Sequence, residues 1–293
     1  MDLPVAVGVD GSEGGLRAVD WAADEAALRG VPLRVVYASL WERYEGVSLA
    51  RDLGKPSEQV MAEDIVESAA RRAHLRRADV KITTDVLPEE PEQALLGAGR
   101  EACALVVGSR GRNAVAELLL GSVGLAVAGH ADCPVIVVRG SHDSRAGEAP
   151  RGPVVVGVGE GPAGPAAVRF AVREARLRGV PLEAVRAWRW PIQQTADGPL
   201  RATEPARLHE QRAADTLESA LRAGAEDHSG VDVRGRTVEG HARGVLLDAS
   251  READLLVVGA RRKPGQFGLR LGRVTHGVLH YSACPVAVVP HRE

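Results

Sequence analysis

A chain of 293 residues, 45% of them hydrophobic, has the length of about two domains of ~150 residues, each able to bury its own core. The net charge of −2 argues against a polyanion such as DNA as partner, and no stretch approaches the ~18 continuous apolar residues of a membrane span. Cys103, Cys133 and Cys284 are odd in number and lack CxxC or His-rich spacing, so neither a disulfide framework nor a metal site is expected. The start, MDLPVAVGVDGS, lacks the basic stretch and long apolar run of a secretory leader. The expectation is a cytoplasmic protein with no membrane and no nucleic-acid role.

In chain order, Val5–Val9 is a β-branched run that predicts a strand buried on both faces. The turn Asp10-Gly11-Ser12-Glu13-Gly14-Gly15 leads into a helix whose apolar positions are Leu16, Val19, Ala23, Ala26 and Ala27. Gly30 closes that helix and Pro32 prevents its resumption. Leu33–Ala38 is a second strand and Trp41–Ser57 a polar loop. A helix over Glu58–Arg77, a strand over Val80–Val86 and a helix over Pro91–Cys103 follow. The half ends with a strand over Ala104–Val107, a helix over Gly121–Gly129 and a strand over Val135–Val138. Alternation of strand and helix predicts a doubly wound parallel sheet.

The pattern then repeats. VAVGVDGSEGGLRAVDWAADEAALRG (Val5–Gly30) is answered by VVVGVGEGPAGPAAVRFAVREARLRG (Val154–Gly179), and CPVIVV (Cys133–Val138) by CPVAVV (Cys284–Val289). The offset is 149 residues early, from Gly30 to Gly179, and 151 late, from Gly108 to Gly259. The second half is therefore expected to carry strands Val154–Val158, Leu182–Ala187, Val231–Val238, Leu255–Val258 and Val286–Val289. Its helices are expected at Ala163–Arg178, Ala206–Ala225, Ala242–Ala253 and near Thr275–Tyr281. The fold class is α/β: two tandem five-stranded parallel domains, residues 1–140 and 153–293, pseudo-two-fold related and joined by the polar linker 141–152. Residues 1–140 carry 15 basic and 21 acidic side chains, and the remainder 22 and 18, so the halves have net charges of −6 and +4.

In doubly wound sheets, ligands bind at the carboxyl ends of the strands. Asp10, Ala38 and Gly108 lie there in the first half. From Gly108 the spacing Gly108-x2-Gly111-x9-Gly121-Ser122 brings backbone within reach of a bulky anion and then opens a helix, whose free N–H groups and serine hydroxyl suit phosphate. Arg110 and Arg112 add positive charge. The glycines also fit plain turn and cap roles, and Asp10 fits both a ribose anchor and a cap for the following turn. The spacing is neither a Walker A loop nor GxGxxG.

The combination of VGVDGS after a first strand, Gly-x2-Gly-x9-Gly-Ser and a closing CPV strand resembles the universal stress protein family over nearly the whole chain, as two tandem domains. The resemblance implies a Rossmann-like fold of the adenine nucleotide alpha hydrolase-like kind and a stress-response protein that binds ATP, with Mg2+ as a possible companion. By the same resemblance, Val9 and Asp10 lie at the ribose or metal-linked phosphate, and Ala38 meets adenine through its backbone. Gly108, Arg110, Gly111, Gly121, Ser122 and Val123 belong to the phosphate-binding run. Gly124 departs from the family, which often has a further hydroxyl there. The resemblance also implies a homodimer and a protein partner.

In the second half the motif is altered. Asp10 becomes Gly159, Ser12 becomes Gly161, Gly111 becomes Arg262 and Ser122 becomes Arg273, while Gly108 and Gly121 persist as Gly259 and Gly272. One ATP site in the first half is therefore expected. Arg261, Arg262, Lys263, Arg270 and Arg273 form a basic cluster that reads either as a solvated loop or as a separate anion surface. His276 and His280 share an i,i+4 face and are read as helix-surface histidines. Trp41, Trp188 and Trp190 either line a pocket or pack under a loop. No nucleophile, base and orienting group stand in a recognisable arrangement, so the expectation is a binding protein rather than an enzyme. A slow ATPase and a structural protein without nucleotide are the alternatives.

Overall fold

Valine-rich runs form strands whose branched side chains fill both sides of a buried sheet. In the first half these are β1 (Val5–Gly8), β2 (Leu33–Ala38), β3 (Ile82–Leu87), β4 (Ala104–Gly108) and β5 (Val135–Val138), and Val5, Ala6, Val7, Ala104, Leu105 and Val106 are wholly buried. Between them run α1 (Glu13–Arg29), α2 (Ser57–Arg76), α3 (Pro91–Arg100) and α4 (Ser122–His130). The computed structural model describes residues 2–38, 40, 57–109, 120–139, 152–161, 163–190, 192–195, 198–201, 205–224, 230–260 and 271–291. The predicted loop up to residue 56 and the linker before Gly152 lie outside the described residues.

The strand order is β3-β2-β1-β4-β5, all parallel, with α1 against α2 and α3 against α4 covering the sheet. The chain winds outward from β1 through β2 to β3, then returns to β4 on the other side of β1. The reversal leaves a crevice past the carboxyl ends of β1 and β4, where doubly wound sheets take their ligands.

The second half repeats this with β6 (Val154–Gly157), α5 (Ala163–Arg178), β7 (Leu182–Trp188), α6 (Ala206–Gly224), β10 (Val233–Glu239), α7 (Ala242–Ala249), β11 (Leu255–Ala260), α8 (Arg273–Tyr281) and β12 (Val286–Pro290). Its order, β10-β7-β6-β11-β12, is the same as the first half's. Between β7 and α6 it adds an antiparallel pair, β8 (Ile192–Thr195) and β9 (Gly198–Arg201). The pair was not expected, although Asp197-Gly198 is a turn signal. The chain divides into two units between Glu148 and Ala149.

Two predicted helices end early, at Arg100 instead of Cys103 and at Ala249 instead of Ala253. The reason is the same in both copies. The Cys103 N–H donates to the Pro4 carbonyl at 2.9 Å and the Asp254 N–H to that of Pro153 at 3.1 Å, which already aligns the next strand. Gly30 and Gly179 close α1 and α5 at φ of 66° and 65°, the left-handed conformation expected of a glycine cap.

Candidate functional site

The turn after β1 is built around one carboxylate. Asp10 Oδ1 accepts from the Ser12 backbone N–H at 3.0 Å and from its hydroxyl at 2.6 Å. The Ser12 Oγ in turn accepts from the Gly15 N–H at 3.1 Å and so caps α1. Asp10 thus holds the cap in place, and it remains only half-buried at the strand end. Val9 continues the sheet, with its N–H on the Val36 carbonyl at 2.9 Å. Ala38 closes β2 opposite Leu87.

Gly108 has a role that spacing alone did not show. A Cβ there would lie 2.6 Å from the Gly14 carbonyl oxygen and 2.7 Å from its carbon, so α1 itself occupies the space that was expected to admit an anion. The inner face of α1 is made of Gly14, Gly15, Ala18 and Ala22, which lets the helix lie close to β4; Leu16 and Ala27, expected inward, are only half-buried. Gly259 repeats the contact, at 2.7 Å from the Ala163 carbonyl oxygen. Packing requires both glycines, which is why both copies retain them.

Gly121 is different. It is the N-cap of α4 at φ −63°, a conformation open to any residue, and among the described residues a Cβ would meet only the Ser109 carbonyl, at 3.9 Å. Among the described residues no side chain caps this helix end, and Ser122, its first residue, is exposed. The first-turn N–H groups of Ser122, Val123 and Gly124 therefore lack the side-chain acceptor that serves α1. The helix is tied to the end of β4, because the Gly121 N–H donates to the Ser109 carbonyl at 2.9 Å. A Cβ at Gly124 would stand 3.1 Å from the Leu120 side chain, so the hydroxyl missing there would need Leu120 to move. Arg110, Gly111 and Arg112 lie outside the described residues.

In the second half, Gly159 and Gly161 replace the carboxylate and the capping serine, and the exposed first residue of α8 is Arg273. Arg261, Arg262, Lys263, Arg270 and Trp41 lie outside the described residues. The histidine pair corrects an expectation. His276 and His280 have ring centroids 4.5 Å apart, but His280 is buried, because α8 turns that face toward the interior. Cys133 and Cys284 are buried and in no disulfide, as their position before apolar strands predicts. Burial pushes the Cys284 thiol up to about 12, so it is inert at neutral pH. Among the described residues no three His, Cys, Asp or Glu side chains gather as a metal site, and no helix is long and apolar enough to cross a membrane. Asp10 is the carboxylate at this strand end that could help hold a phosphate-bound cation.

The model of the universal stress protein family matches residues 3–139 and 150–290. A universal stress protein of Mycobacterium bovis is 32% identical over 305 residues, covering 98% of this chain and 95% of its own. Another, from Mycobacterium tuberculosis, is 30% identical over 305 residues, covering 97% and 96%. Among solved structures, a universal stress protein from Archaeoglobus fulgidus superposes with a TM-score of 0.69 at 17% identity and covers 98% of both chains, a likeness of fold.

Proposed function

Because the chain belongs to the universal stress protein family, we propose that its first half binds one adenine nucleotide, ATP with its magnesium, in the crevice past β1 and β4. The second half leaves the equivalent crevice without nucleotide. The observation that carries this reading is the N-terminus of α4. Among the described residues it has no side-chain cap and has a glycine that neither backbone conformation nor packing demands, and it begins at an exposed serine where α8 begins at Arg273. An anion there meets free N–H groups and the positive end of the helix. The resemblance supplies the rest of the ligand: phosphates along Arg110, Gly111, Gly121, Ser122 and Val123, ribose at Val9 and Asp10, and adenine at the Ala38 backbone.

The role is that of a switch, not a catalyst. Nucleotide bound at α4 and at the Asp10 turn would join two first turns at the strand ends, and a homodimer or other protein partner would read that state in the cytoplasm. Titration calorimetry tests it. We expect one ATP per chain, lost in Gly121→Arg and retained in Gly121→Ala, whose Cβ has room. Asp10→Asn keeps the acceptor for Ser12 while removing the charge, so weaker binding in this variant reports the ligand and not the cap. Two equal sites per chain, or none, would overturn the reading.

A further inference from the structure

The second half has a cavity of about 430 Å³ on the other side of its first strand, past the carboxyl ends of β6, β7 and β10 and against α6. Arg186, Arg189, Arg212 and His209 line it, with Trp188 and one carboxylate, Glu160. Arg186 is anchored on its lining. It donates to the Val158 carbonyl at 3.2 Å and to Glu160 at 2.6 Å, while its buried Nε has no hydrogen-bond partner among the described residues. The Arg189 Nη1 lies 3.1 Å from the Nε2 of His241.

The first half shows how much of this is a change. By the 149-residue offset, Arg186 stands where the first copy has Tyr37, Arg189 where it has Leu40 and Glu160 where it has Gly11. By the 151-residue offset, His209, Arg212 and Thr216 replace Glu58, Met61 and Ile65, and Gly240 and His241 replace Glu89 and Glu90. In the first half Tyr37 is buried, and Ile65 lies over Gly11, within 3.2 Å of where a Cβ would be. The same place in the fold carries three carboxylates in one copy, and three arginines, two histidines and a single carboxylate in the other. Solvated surfaces vary without converging. Here the lining substitutions come from one strand, three strand-end turns and a helix, and they meet at one cavity.

We infer that this cavity is a binding site for a small dianion, the chemistry shared by a phosphate monoester and a dicarboxylate. Guanidinium forks take either group in bidentate fashion, and the volume lies in the range of small-molecule sites, roughly 300–1,000 Å³. The three arginines exceed Glu160 by two positive charges. Trp188 offers a flat apolar wall for the body of the ligand. The site stands apart from the nucleotide reading by being in the other half, where Ala187 on its lining is the counterpart of Ala38.

Calorimetry of the full chain with phenyl phosphate and with succinate tests the inference. We expect one dianion per chain, weakening as salt rises. Arg186→Tyr and Arg212→Met, which restore first-half residues, should each weaken binding about tenfold or more. Arg212 is exposed on its helix, so its variant reads binding even if Arg186→Tyr disturbs the fold. Glu160→Gln should strengthen binding several-fold, because it removes the carboxylate that competes for Arg186; a purely structural ion pair predicts no gain. Preference for either probe identifies the source of the dianion. ATP stoichiometry should be unchanged in all three variants, so failure here and failure of the nucleotide reading are separable. No binding of either probe at millimolar concentration, or binding indifferent to both arginine substitutions, overturns the site.

Discussion

The two halves have one strand order and two different sets of strand ends. What packing needs is kept. Gly8 and Gly157 make room for Leu95 and Leu246, Gly108 and Gly259 for the first turns of α1 and α5, and Gly30 and Gly179 close those helices. What faces the crevices is not kept. The first half holds Asp10, Ser12 and Ser122, and the second holds Gly159, Gly161 and Arg273, with its cationic groups gathered instead past β7. A shared glycine that a crowded Cβ position or a positive φ demands therefore reports the frame, and a residue that differs at a strand end reports what the end is for.

The largest test of this division is a buried ion pair present in each copy. Glu25 and Glu174 are 1% and 0% exposed and pair one turn on with Arg29 and Arg178. Removing either carboxylate takes an ion-pair partner from a guanidinium whose own side chain is only 9% exposed. Glu25→Ala and Glu174→Ala should each destabilise their own unit by about 3–5 kcal/mol in denaturant unfolding. Similar losses support a common frame, whereas a tolerated change in one half would break it.

Gly108→Ala and Gly259→Ala come next, at about 1–3 kcal/mol each, since in each a methyl group is forced onto helix backbone. If Gly108→Ala leaves stability alone and removes only ATP binding, the glycine serves the ligand and the packing account fails. Gly121→Ala is the contrast, with little effect on stability, because its Cβ would stand 3.9 Å from the nearest described atom.

The architecture was legible because it rests on periodicity and on glycine caps, both local. Ala163–Arg178 forms as predicted, and most other elements differ by a residue or two. The helices that end early do so because a distant carbonyl, Pro4 or Pro153, takes an N–H that local pattern assigns to the helix. At the site, spacing located Gly121 and Ser122 at a helix start but did not show the packing role of Gly108, since the atoms that exclude its Cβ belong to Gly14, far away in sequence. The arginine cavity lies off the glycine motif. Tyr37 against Arg186 and Met61 against Arg212 carry the change in charge, and only the fold shows that the two positions converge.

A smaller contrast concerns how α2 and α6 are held. In the first half, Asp20 takes Arg72 through two hydrogen bonds of 2.8 and 2.6 Å, and Asp24 takes Arg76 and Arg77 at 2.6 and 2.7 Å. In the second, Arg169 and Arg173 replace the two aspartates, and Arg169 donates to the Ala223 carbonyl at 3.3 Å. These clamps are partly exposed, so Asp20→Ala should cost about 1 kcal/mol, and less at high salt. Hydrogen exchange should show α2 opening more often in this variant while α6 is unaffected.

The smallest expected effect separates the paired cysteines. Cys284 is wholly buried, and burial raises its thiol from 9.0 to about 12. A thiol whose folded pKa is raised stays protonated in the fold while the unfolded chain already ionises. The stability it contributes is therefore complete below about pH 9 and is lost as pH rises toward 12. Cys284→Ala removes packing at neutral pH but also removes this loss, so the gap in unfolding midpoint between wild type and variant should narrow above pH 9. Labelling by a thiol reagent at neutral pH should reach Cys103, which is half-exposed, well before Cys284. Rapid labelling of Cys284 would mean that β12 opens readily, and the second half would then be the looser of the two frames.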